Sequence, residues 1–305
     1  MIIITAPVHA IFLETLDNKG MPYTYLPQCD YDELCCLIPT ADGLVVSTNI
    51  KIDKSIIDLG KNLKWVARLG SGMEHIDVAY AQSKNINCVS SPEGNSNAVA
   101  EHAMGLLIGL MRNIPKSFEE VKEHKWLREE NRGEEISGKT IGIIGYGNTG
   151  SRFARLLSSF DVRVLVYDKY KSGFSNADVT ETDLSSICSE ADIISFHVPL
   201  NSETRHMADA NFFGKLQRKP IFINTSRGGI VDTAALIKAL QHKNISGAAL
   251  DVLENEKLES FSTEEDEHFN FLINQSNVIV TPHIAGYSHQ SAYLLSKILL
   301  EKLGI

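Results

Sequence analysis

The sequence has few cysteines, no excess of positive charge and no long hydrophobic run. Its five cysteines include no Cys-x-x-Cys pair, and their odd number argues against a disulfide framework, so we expect a reducing compartment, the cytoplasm. The net charge of −9 would repel a polyphosphate backbone, which argues against nucleic acid as a partner. The longest apolar stretch, residues 98–111, is too short to span a bilayer, so no membrane partner is expected.

Targeting signals, repeats and low-complexity tracts are also lacking. Residues 1–5 are apolar but have neither the basic region nor the length of a signal peptide, and they are typical of a buried β-strand. No repeat of the solenoid type is present, and we expect no metal site. A chain of 305 residues predicts two domains with sizeable cores.

Short β-branched runs alternate with helical stretches along the chain. In the first ninety residues, strands are predicted at 2–5, 43–47, 65–69 and 87–89, with helices at 52–59 and 78–83. Turn-forming residues at 91–97 precede an apolar helix at 98–111. Six further strands are predicted at 140–144, 162–167, 192–198, 221–224, 246–250 and 278–281. Because parallel strands need crossover helices, we predict an α/β protein with two parallel sheets.

A glycine-rich turn lies between the strand at 140–144 and a helical stretch at 151–159. In Gly-Tyr-Gly-Asn-Thr-Gly, Gly145 permits a tight turn, Gly147 lets a pyrophosphate approach the backbone, and Gly150 allows close packing of helix and strand. Asp168 ends the next strand, where a carboxylate can accept both ribose hydroxyls and would repel a 2′-phosphate. The pattern predicts NAD binding, although Lys169 and Lys171 leave room for NADP.

Polar side chains follow three of the last predicted strands of this series. Arg227 follows the strand at 221–224, Glu254 and Glu256 follow the strand at 246–250, and His283 follows the strand at 278–281. A guanidinium can hold a carboxylate, and a histidine with a carboxylate can move a proton at a carbon that bears a hydroxyl. Each residue alone is also compatible with a surface ion pair or a turn, but together they predict one active site at the carboxyl edge of the sheet.

These segments together resemble the D-isomer-specific 2-hydroxyacid dehydrogenases, from Arg-Leu-Gly-Ser-Gly-Met-Glu-His-Ile-Asp at 68–77 to His-Ile-Ala-Gly at 283–286. The resemblance implies two Rossmann-like and flavodoxin-like domains with an interdomain cleft. It implies a discontinuous substrate-binding domain, residues 1–94 and 287–305, and an NAD-binding domain, residues 95–286. It also implies a homodimer, with the helix at 98–111 and the segment 113–132 as the interface.

The resemblance also assigns roles to single residues. Arg227 corresponds to the arginine that binds the substrate carboxylate, His283 to the acid/base, and Glu256, the second glutamate of its segment, to the partner of the histidine. Lys257 replaces the proline that usually follows this glutamate, and a nearby ammonium would weaken the grip of Glu256 on an imidazolium. The cofactor contacts are predicted to be Gly145, Gly147, Asn148, Thr149, Gly150, Asp168, Val198, Pro199, Thr225, Ser226, Asp251, Ala285 and Gly286.

Within the family, the residues are most similar to those of the phosphoglycerate dehydrogenases. Arg68 precedes Gly-x-Gly, and Pro-Glu-Gly-Asn-Ser at 92–96 resembles a loop of that subclass. We therefore expect a small anionic 2-hydroxy or 2-keto acid as substrate, with contacts from Arg68, Ser71, Gly72 and Arg227. The substrate phosphate would be bound either by Arg68 of the same chain or by Arg128 from a neighbouring subunit. The alternatives are a glyoxylate/hydroxypyruvate reductase and, outside enzymes, an NAD(H)-sensing protein of the corepressor type.

Overall fold

The computed structural model describes residues 1–305, and the chain divides into two compact units. The first unit comprises Met1–Asn97 together with Tyr287–Ile305, and the second comprises Ala98–Gly286. The predicted division placed the first junction three residues earlier, after residue 94, and the second junction at the same position. The assignment of substrate binding to the first unit remains a prediction.

The first unit is built on a parallel sheet, as predicted, but with five strands instead of the predicted four. The strand order is β2-β1-β3-β4-β5, which is a flavodoxin-like topology. The strands are β1 (Ile2–Ile4), β2 (Tyr23–Tyr25), β3 (Gly43–Val46), β4 (Trp65–Arg68) and β5 (Asn87–Ser90). The helices are α1 (Ala10–Asn18), α2 (Tyr31–Leu37), α3 (Lys54–Leu59), α4 (Val78–Ser83) and, at the end of the chain, α12 (His289–Leu303). The sequence analysis missed β2, because this half-exposed edge strand has no apolar run.

The second unit is built on a seven-stranded parallel sheet in the order β12-β11-β10-β9-β6-β7-β8. The strands are β6 (Thr140–Ile144), β7 (Arg163–Tyr167), β8 (Thr180–Glu181), β9 (Ile193–Phe196), β10 (Ile221–Asn224), β11 (Gly247–Leu250) and β12 (Val278–Val280). The expectation of six strands was wrong by one. The additional strand β8 has only two polar residues, which pair with β7 and leave no hydrophobic pattern in the sequence.

Helices on both faces cover the second sheet. They are α5 (Ser96–Met111), which starts at the end of the first unit, α6 (Ile114–Lys122), α7 (Asn148–Leu157), α8 (Leu184–Glu190), α9 (Ala210–Gly214), α10 (Thr233–Gln241) and α11 (Thr263–Ile273). One core lies under α8 to α11 and includes Phe196, Phe213 and Phe222. The other lies under α5 and α7 and includes Leu107 and Phe153. The burial of both faces explains why these strands are continuous apolar runs.

The strand order reverses at β6, which lies between β7 and β9. In an open α/β sheet, ligands bind outside the carboxyl ends of the strands at this reversal, because the crossover connections diverge to opposite faces there. The glycine-rich turn follows β6 directly, so the topology places the predicted cofactor site at the expected point. No helix in the structure combines the length and apolar character needed for a membrane span.

Candidate active site

The candidate catalytic residues follow three neighbouring parallel strands. Residue Asn224 at the end of β10 pairs with Leu250 at the end of β11, and Leu250 pairs with Val280 at the end of β12. Because these ends are in register, the segments that follow them start from the same edge of the sheet. These segments carry Arg227, then Asp251 and Glu256, and then His283.

The loop that carries Arg227 is held by hydrogen bonds at its base. The Asn224 side chain accepts a bond from the Ser226 N–H (3.0 Å) and donates one to the Arg227 carbonyl (2.9 Å). The Arg227 guanidinium, half-buried, donates to the Ser226 carbonyl at 2.7 Å. A Cβ atom on Gly228 would lie 1.8 Å from the Leu253 carbonyl oxygen, so only glycine allows this close approach to the segment that leads to Glu256.

The structure brings His283 and Glu256 together. The distance from His283 Nδ1 to Glu256 Oε2 is 2.8 Å, and both side chains are 42% exposed. Because a carboxylate only accepts hydrogen bonds, this contact places a proton on Nδ1 and leaves Nε2 as the ring atom that exchanges protons. The backbone of His283 has φ +56°, a left-handed conformation that is uncommon outside glycine, although histidine adopts it more often than most residues.

Glu254, the alternative partner of the histidine, is engaged elsewhere. Its Oε1 lies 2.6 Å from His206 Nε2, and its Oε2 accepts from the backbone N–H and the hydroxyl of Thr233 at the start of α10. This geometry favours Glu256, the residue that the sequence analysis selected. Lys257, whose ammonium was expected to weaken Glu256, makes no ion pair with it, and its backbone N–H donates to Asn255.

Asp251 is a buried carboxylate beside this pair. Its side chain is completely buried and accepts hydrogen bonds from the Thr281 hydroxyl (2.6 Å) and the Ile284 and Ala285 N–H groups (2.9 and 2.8 Å). Burial raises its pKa, but the hydrogen bonds from His102, Thr281, Ala285 and Ile284 outweigh burial and hold the pKa below its usual range. Asp251 therefore anchors the turn that carries His283.

His102 and Thr281 are members of this cluster that sequence reasoning missed. His102 Nε2 lies 3.0 Å from Thr281 Oγ1 and 3.4 Å from Asp251 Oδ1. A signal was present in the sequence, because Glu101 and His102 interrupt an otherwise apolar helix and Thr281 directly precedes Pro-His. Only the packing of α5 on the sheet shows what the histidine contacts.

The glycine-rich turn has the shape that a dinucleotide needs. Gly145 has φ +98°, and a Cβ there would lie 2.4 Å from the His197 carbonyl oxygen. A Cβ on Gly150 would lie 2.0 Å from the Gly145 carbonyl oxygen, so the helix packs directly on the turn. A Cβ on Gly147 would meet nothing within 4 Å, and no side chain caps α7 at this residue. The first amides of α7, including those of Asn148 and Thr149, therefore face an open cradle that suits a pyrophosphate.

The other predicted cofactor contacts are also near this edge of the second sheet. Asp168 follows β7, Val198 and Pro199 follow β9, and Thr225 and Ser226 follow β10, whereas Ala285 and Gly286 follow His283. The Asp168 carboxylate accepts from the N–H groups of Tyr146 (2.7 Å), Tyr170 (2.9 Å) and Lys171 (3.0 Å), which fixes it against the glycine-rich turn. The donor set and the cradle fit NAD.

His197 is a third residue that sequence reasoning missed. It follows β9, its N–H donates to the Ile144 carbonyl at 2.7 Å, and its ring packs on Phe153 of α7 at 5.3 Å. Burial lowers its pKa to about 3, so the ring is neutral at physiological pH. His197 therefore packs against the glycine-rich turn and α7 without placing a positive charge next to the anion cradle.

The candidate substrate residues of the first unit lie at the end of β4. A Cβ on Gly70 would lie 1.3 Å from Arg68 Nη1, and Gly70 has φ +134°, so the guanidinium of Arg68 folds over this glycine and donates to the Leu69 carbonyl at 2.8 Å. Arg68 and Gly72 are half-buried, whereas Ser71 is exposed. Arg68 and Arg227 belong to different units, and their joint role remains a prediction.

Comparisons with known proteins identify the family. Residues 104–285 match the model of the D-isomer specific 2-hydroxyacid dehydrogenase, NAD binding domain. A hydroxypyruvate reductase of Thermotoga maritima is 36% identical over 95% of this chain and 92% of the relative. A D-3-phosphoglycerate dehydrogenase of Archaeoglobus fulgidus is 32% identical over 99% of this chain and 56% of the relative. The chain belongs to the D-isomer-specific 2-hydroxyacid dehydrogenase family, and the expected family and NAD-binding domain are confirmed.

Solved structures agree in fold. The D-lactate dehydrogenase of Aquifex aeolicus, complexed with NAD and lactic acid, is 27% identical with a TM-score of 0.87, covering 99% of this chain and 94% of that one. An acyclic imino acid reductase in complex with NADPH and D-Arg is 25% identical, also with a TM-score of 0.87, covering 100% of this chain and 96% of that one. The present chain spans about half the length of several phosphoglycerate dehydrogenase relatives.

The glycine-rich turn generates a matched pair of variants. Gly147→Ala adds a methyl group that meets no protein atom but fills the cradle, so we expect the melting temperature to change little while NADH affinity falls roughly tenfold or more. In Gly145→Ala the added methyl group would lie 2.4 Å from a backbone oxygen, at a residue with a positive φ. We therefore expect this variant to lose both thermal stability and NADH affinity. Thermal unfolding and NADH fluorescence titration measure the two effects. Unchanged NADH affinity in Gly147→Ala would contradict the cradle.

Proposed function

We propose that the protein is an NAD-dependent oxidoreductase that transfers a hydride between NAD(H) and a D-2-hydroxyacid or its 2-keto acid. The observation that carries the proposal is the 2.8 Å contact between His283 and Glu256, on segments that start from the same sheet edge as the loop of Arg227. His206 and Glu254 make a similar contact, so the pair alone does not mark a catalytic histidine; what distinguishes His283 is that its segment leaves the same sheet edge as the loop of Arg227.

The roles follow from the chemistry of each group. NAD, when bound, accepts or supplies the hydride. The guanidinium of Arg227 stays charged at any working pH and has the planar fork that holds a carboxylate, so it orients the substrate. His283 takes the hydroxyl proton through Nε2 in oxidation and returns it in reduction. Glu256 holds the Nδ1–H side of the ring and stabilises the imidazolium when the proton is on Nε2.

Variants of His283 and Arg227 test these roles. We expect His283→Gln to lower kcat by about 10²–10⁴-fold with NADH affinity unchanged, because proton transfer is lost and the cofactor turn is untouched. We expect Arg227→Lys to raise KM for the keto acid and to lower kcat, because an ammonium cannot reproduce the paired contact. The exposed His242 provides the control variant His242→Gln, which leaves both parameters unchanged. Retained turnover in His283→Gln would remove His283 from the mechanism, whereas a wild type that binds NADH without turning over any 2-keto acid would point to a binding protein of the corepressor type.

We propose NAD rather than NADP as the preferred coenzyme. The Asp168 carboxylate would repel a 2′-phosphate, and the two lysines that follow it are engaged. Lys169 Nζ lies 2.7 Å from Glu203, and Lys171 Nζ donates to the Tyr146 carbonyl at 2.8 Å. Binding of an added phosphate by either ammonium would therefore compete with a contact that it already makes.

The substrate that we propose is 3-phosphoglycerate with its keto acid 3-phosphohydroxypyruvate. Arg68 supports it, because a phosphate needs a cationic contact in addition to the arginine that binds the carboxylate. Several relatives named D-3-phosphoglycerate dehydrogenase, at 32–37% identity, agree with this choice. The second candidate is the reduction of hydroxypyruvate or glyoxylate. It is favoured by the similarity to a hydroxypyruvate reductase, because the match includes 92% of that protein's length.

A substrate panel with Arg68→Ala separates these candidates. For 3-phosphohydroxypyruvate, we expect the variant to lose about tenfold to a hundredfold in kcat/KM, because a charge-assisted contact is lost. For hydroxypyruvate and glyoxylate, we expect little change. Arg218→Ala, at an exposed arginine, controls for the change in net charge. Rates are followed by the absorbance of NADH and NADPH. Equal losses on all three acids would remove phosphate recognition and favour the reductase.

We also propose a homodimer formed through α5, α6 and the segment that follows α6. Three apolar side chains on α6 are exposed at helical spacing, namely Ile114 (52%), Phe118 (62%) and Val121 (46%), and Trp126 beyond the helix is 78% exposed. An apolar helix face of this kind marks an interaction surface, and a second copy of the chain would cover it.

The dimer is tested by Phe118→Glu. A charge in the centre of the proposed interface costs desolvation that the dimer cannot recover, so we expect light scattering after size exclusion to show half the wild-type mass. Leu258→Glu, at a residue with 54% exposure outside this surface, serves as the control. A monomeric wild type, or a variant of unchanged mass, would show that another surface or no surface is used.

A further inference from the structure

The turn that carries His283 is organised around one residue. The backbone N–H of His283 donates to the Asp251 carbonyl at 2.8 Å, and the next two N–H groups, of Ile284 and Ala285, donate to the Asp251 carboxylate. Three successive backbone amides therefore donate hydrogen bonds to Asp251. Because His283 is in the left-handed region, which costs free energy, the turn keeps this conformation only while these bonds hold it.

Asp251 is a buried carboxylate with a histidine beside it. Its side chain has no exposed surface, and His102 Nε2 of α5 lies 3.4 Å from its Oδ1. A buried carboxylate depends on its hydrogen bonds, because losing one leaves an oxygen unpaired away from water. The contacts of Asp251 with residues outside the turn backbone are therefore important for the position of the turn.

Thr281 connects the histidine to the carboxylate. The Thr281 hydroxyl donates its single proton to Asp251 Oδ1 at 2.6 Å, because the carboxylate can only accept. Its oxygen then accepts from His102 Nε2–H at 3.0 Å. The order of donors is therefore His102 to Thr281 to Asp251, and the contact assigns a proton to Nε2 of His102.

We propose that His102 and Thr281 are positioning residues that act through Asp251 on the turn that carries His283. The inference rests on the proposed function, in which His283 exchanges the substrate proton. In this arrangement α5, and not only the strand before the turn, holds the imidazole in the orientation that meets Glu256. The side-chain hydrogen bonds of His102 and Thr281 go to each other and to Asp251, and that of His283 goes to Glu256, so both residues act on His283 indirectly.

Loss of a hydrogen bond to Asp251 is expected to affect kcat and not KM. A turn that loses a bond to Asp251 populates orientations in which the His283 ring no longer meets Glu256, and the productive fraction falls. The proton-transfer step is then slower, while Arg227 on its own loop still binds the substrate carboxylate. We therefore expect kcat to fall with KM nearly constant.

Two matched pairs of variants provide the test. Thr281→Val keeps the shape and removes the hydroxyl, whereas Thr281→Ser keeps the hydroxyl; His102→Leu removes the ring donor, whereas His102→Gln retains an amide donor. We expect Thr281→Val and His102→Leu to lower kcat about tenfold or more at saturating NADH, and Thr281→Ser and His102→Gln to stay within about threefold of wild type. NADH affinity should change much less than kcat in all four, because most of the predicted cofactor contacts lie outside this turn.

A measurement without substrate keeps this test separate from the proposed function. Hydrogen–deuterium exchange followed by mass spectrometry reports the amides of the peptide 281–287, which includes the three that end on Asp251. We expect exchange in this peptide to be about tenfold faster in Thr281→Val than in Thr281→Ser, with the peptide over β6 unchanged as an internal reference. This result would support the positioning role even if no 2-keto acid were turned over by the wild type.

Two outcomes would overturn the inference. If Thr281→Val and Thr281→Ser have the same kcat and the same exchange, the link from His102 to Asp251 does not hold the turn. If NADH affinity falls while kcat at saturation is unchanged, Asp251 and its partners serve the cofactor and not His283. Where Thr281→Val fails to fold, the His102→Leu and His102→Gln pair decides by the same two measurements.

Discussion

The in-register pairing of β10, β11 and β12 is the constraint on which the candidate active site depends. Parallel strands end at the same edge, so residues that are far apart in sequence leave the sheet side by side. Arg227, Glu256 and His283 lie on three separate segments, and no local interaction could bring them together. The core under α8 to α11, to which Phe222, Leu250 and Val280 contribute, keeps these strands in register, because a slip would move their side chains off that core.

Close approach of backbone is the second theme of the site. Gly145, Gly150 and Gly228 each lie where a Cβ would overlap a carbonyl oxygen of another segment. At the first two positions the approach forms the cradle for a pyrophosphate; at the third it locks the Arg227 loop to the segment that leads to Glu256. The same physical device, a missing side chain, therefore supports both the cofactor site and the proposed catalytic residues.

The ionisable side chains of the second unit differ in burial, and their burial matches their proposed roles. The neutral, buried His197 lies under the anion cradle, and the buried charge of Asp251 is compensated by hydrogen bonds from the turn that it organises. The His283–Glu256 pair, in contrast, is half-exposed, so its ring can exchange protons. Burial thus separates residues that hold the structure from residues that we propose to react.

Most of the fold could be predicted from the sequence, because buried parallel strands are apolar runs at regular spacing and their glycine turn has a specific pattern. The edge strands β2 and β8 could not, since a half-exposed or two-residue strand has no such run. The candidate catalytic residues could be predicted because they follow strand ends. His102 could not, because a histidine within an apolar helix gives no indication of the side chains that it will meet.

The sequence by itself determined the family, the two parallel sheets, the dinucleotide turn and the residue types available for chemistry, because these depend on local patterns and on spacing along the chain. The family pattern favoured Glu256 over Glu254, but only the tertiary structure decided which other residues surround the pair. It showed that Lys257 forms no ion pair with Glu256, that Glu254 binds His206, and that α5 contacts the turn through Thr281 and Asp251. These outcomes depend on distances between residues remote in sequence, which are set when helices pack on the sheet.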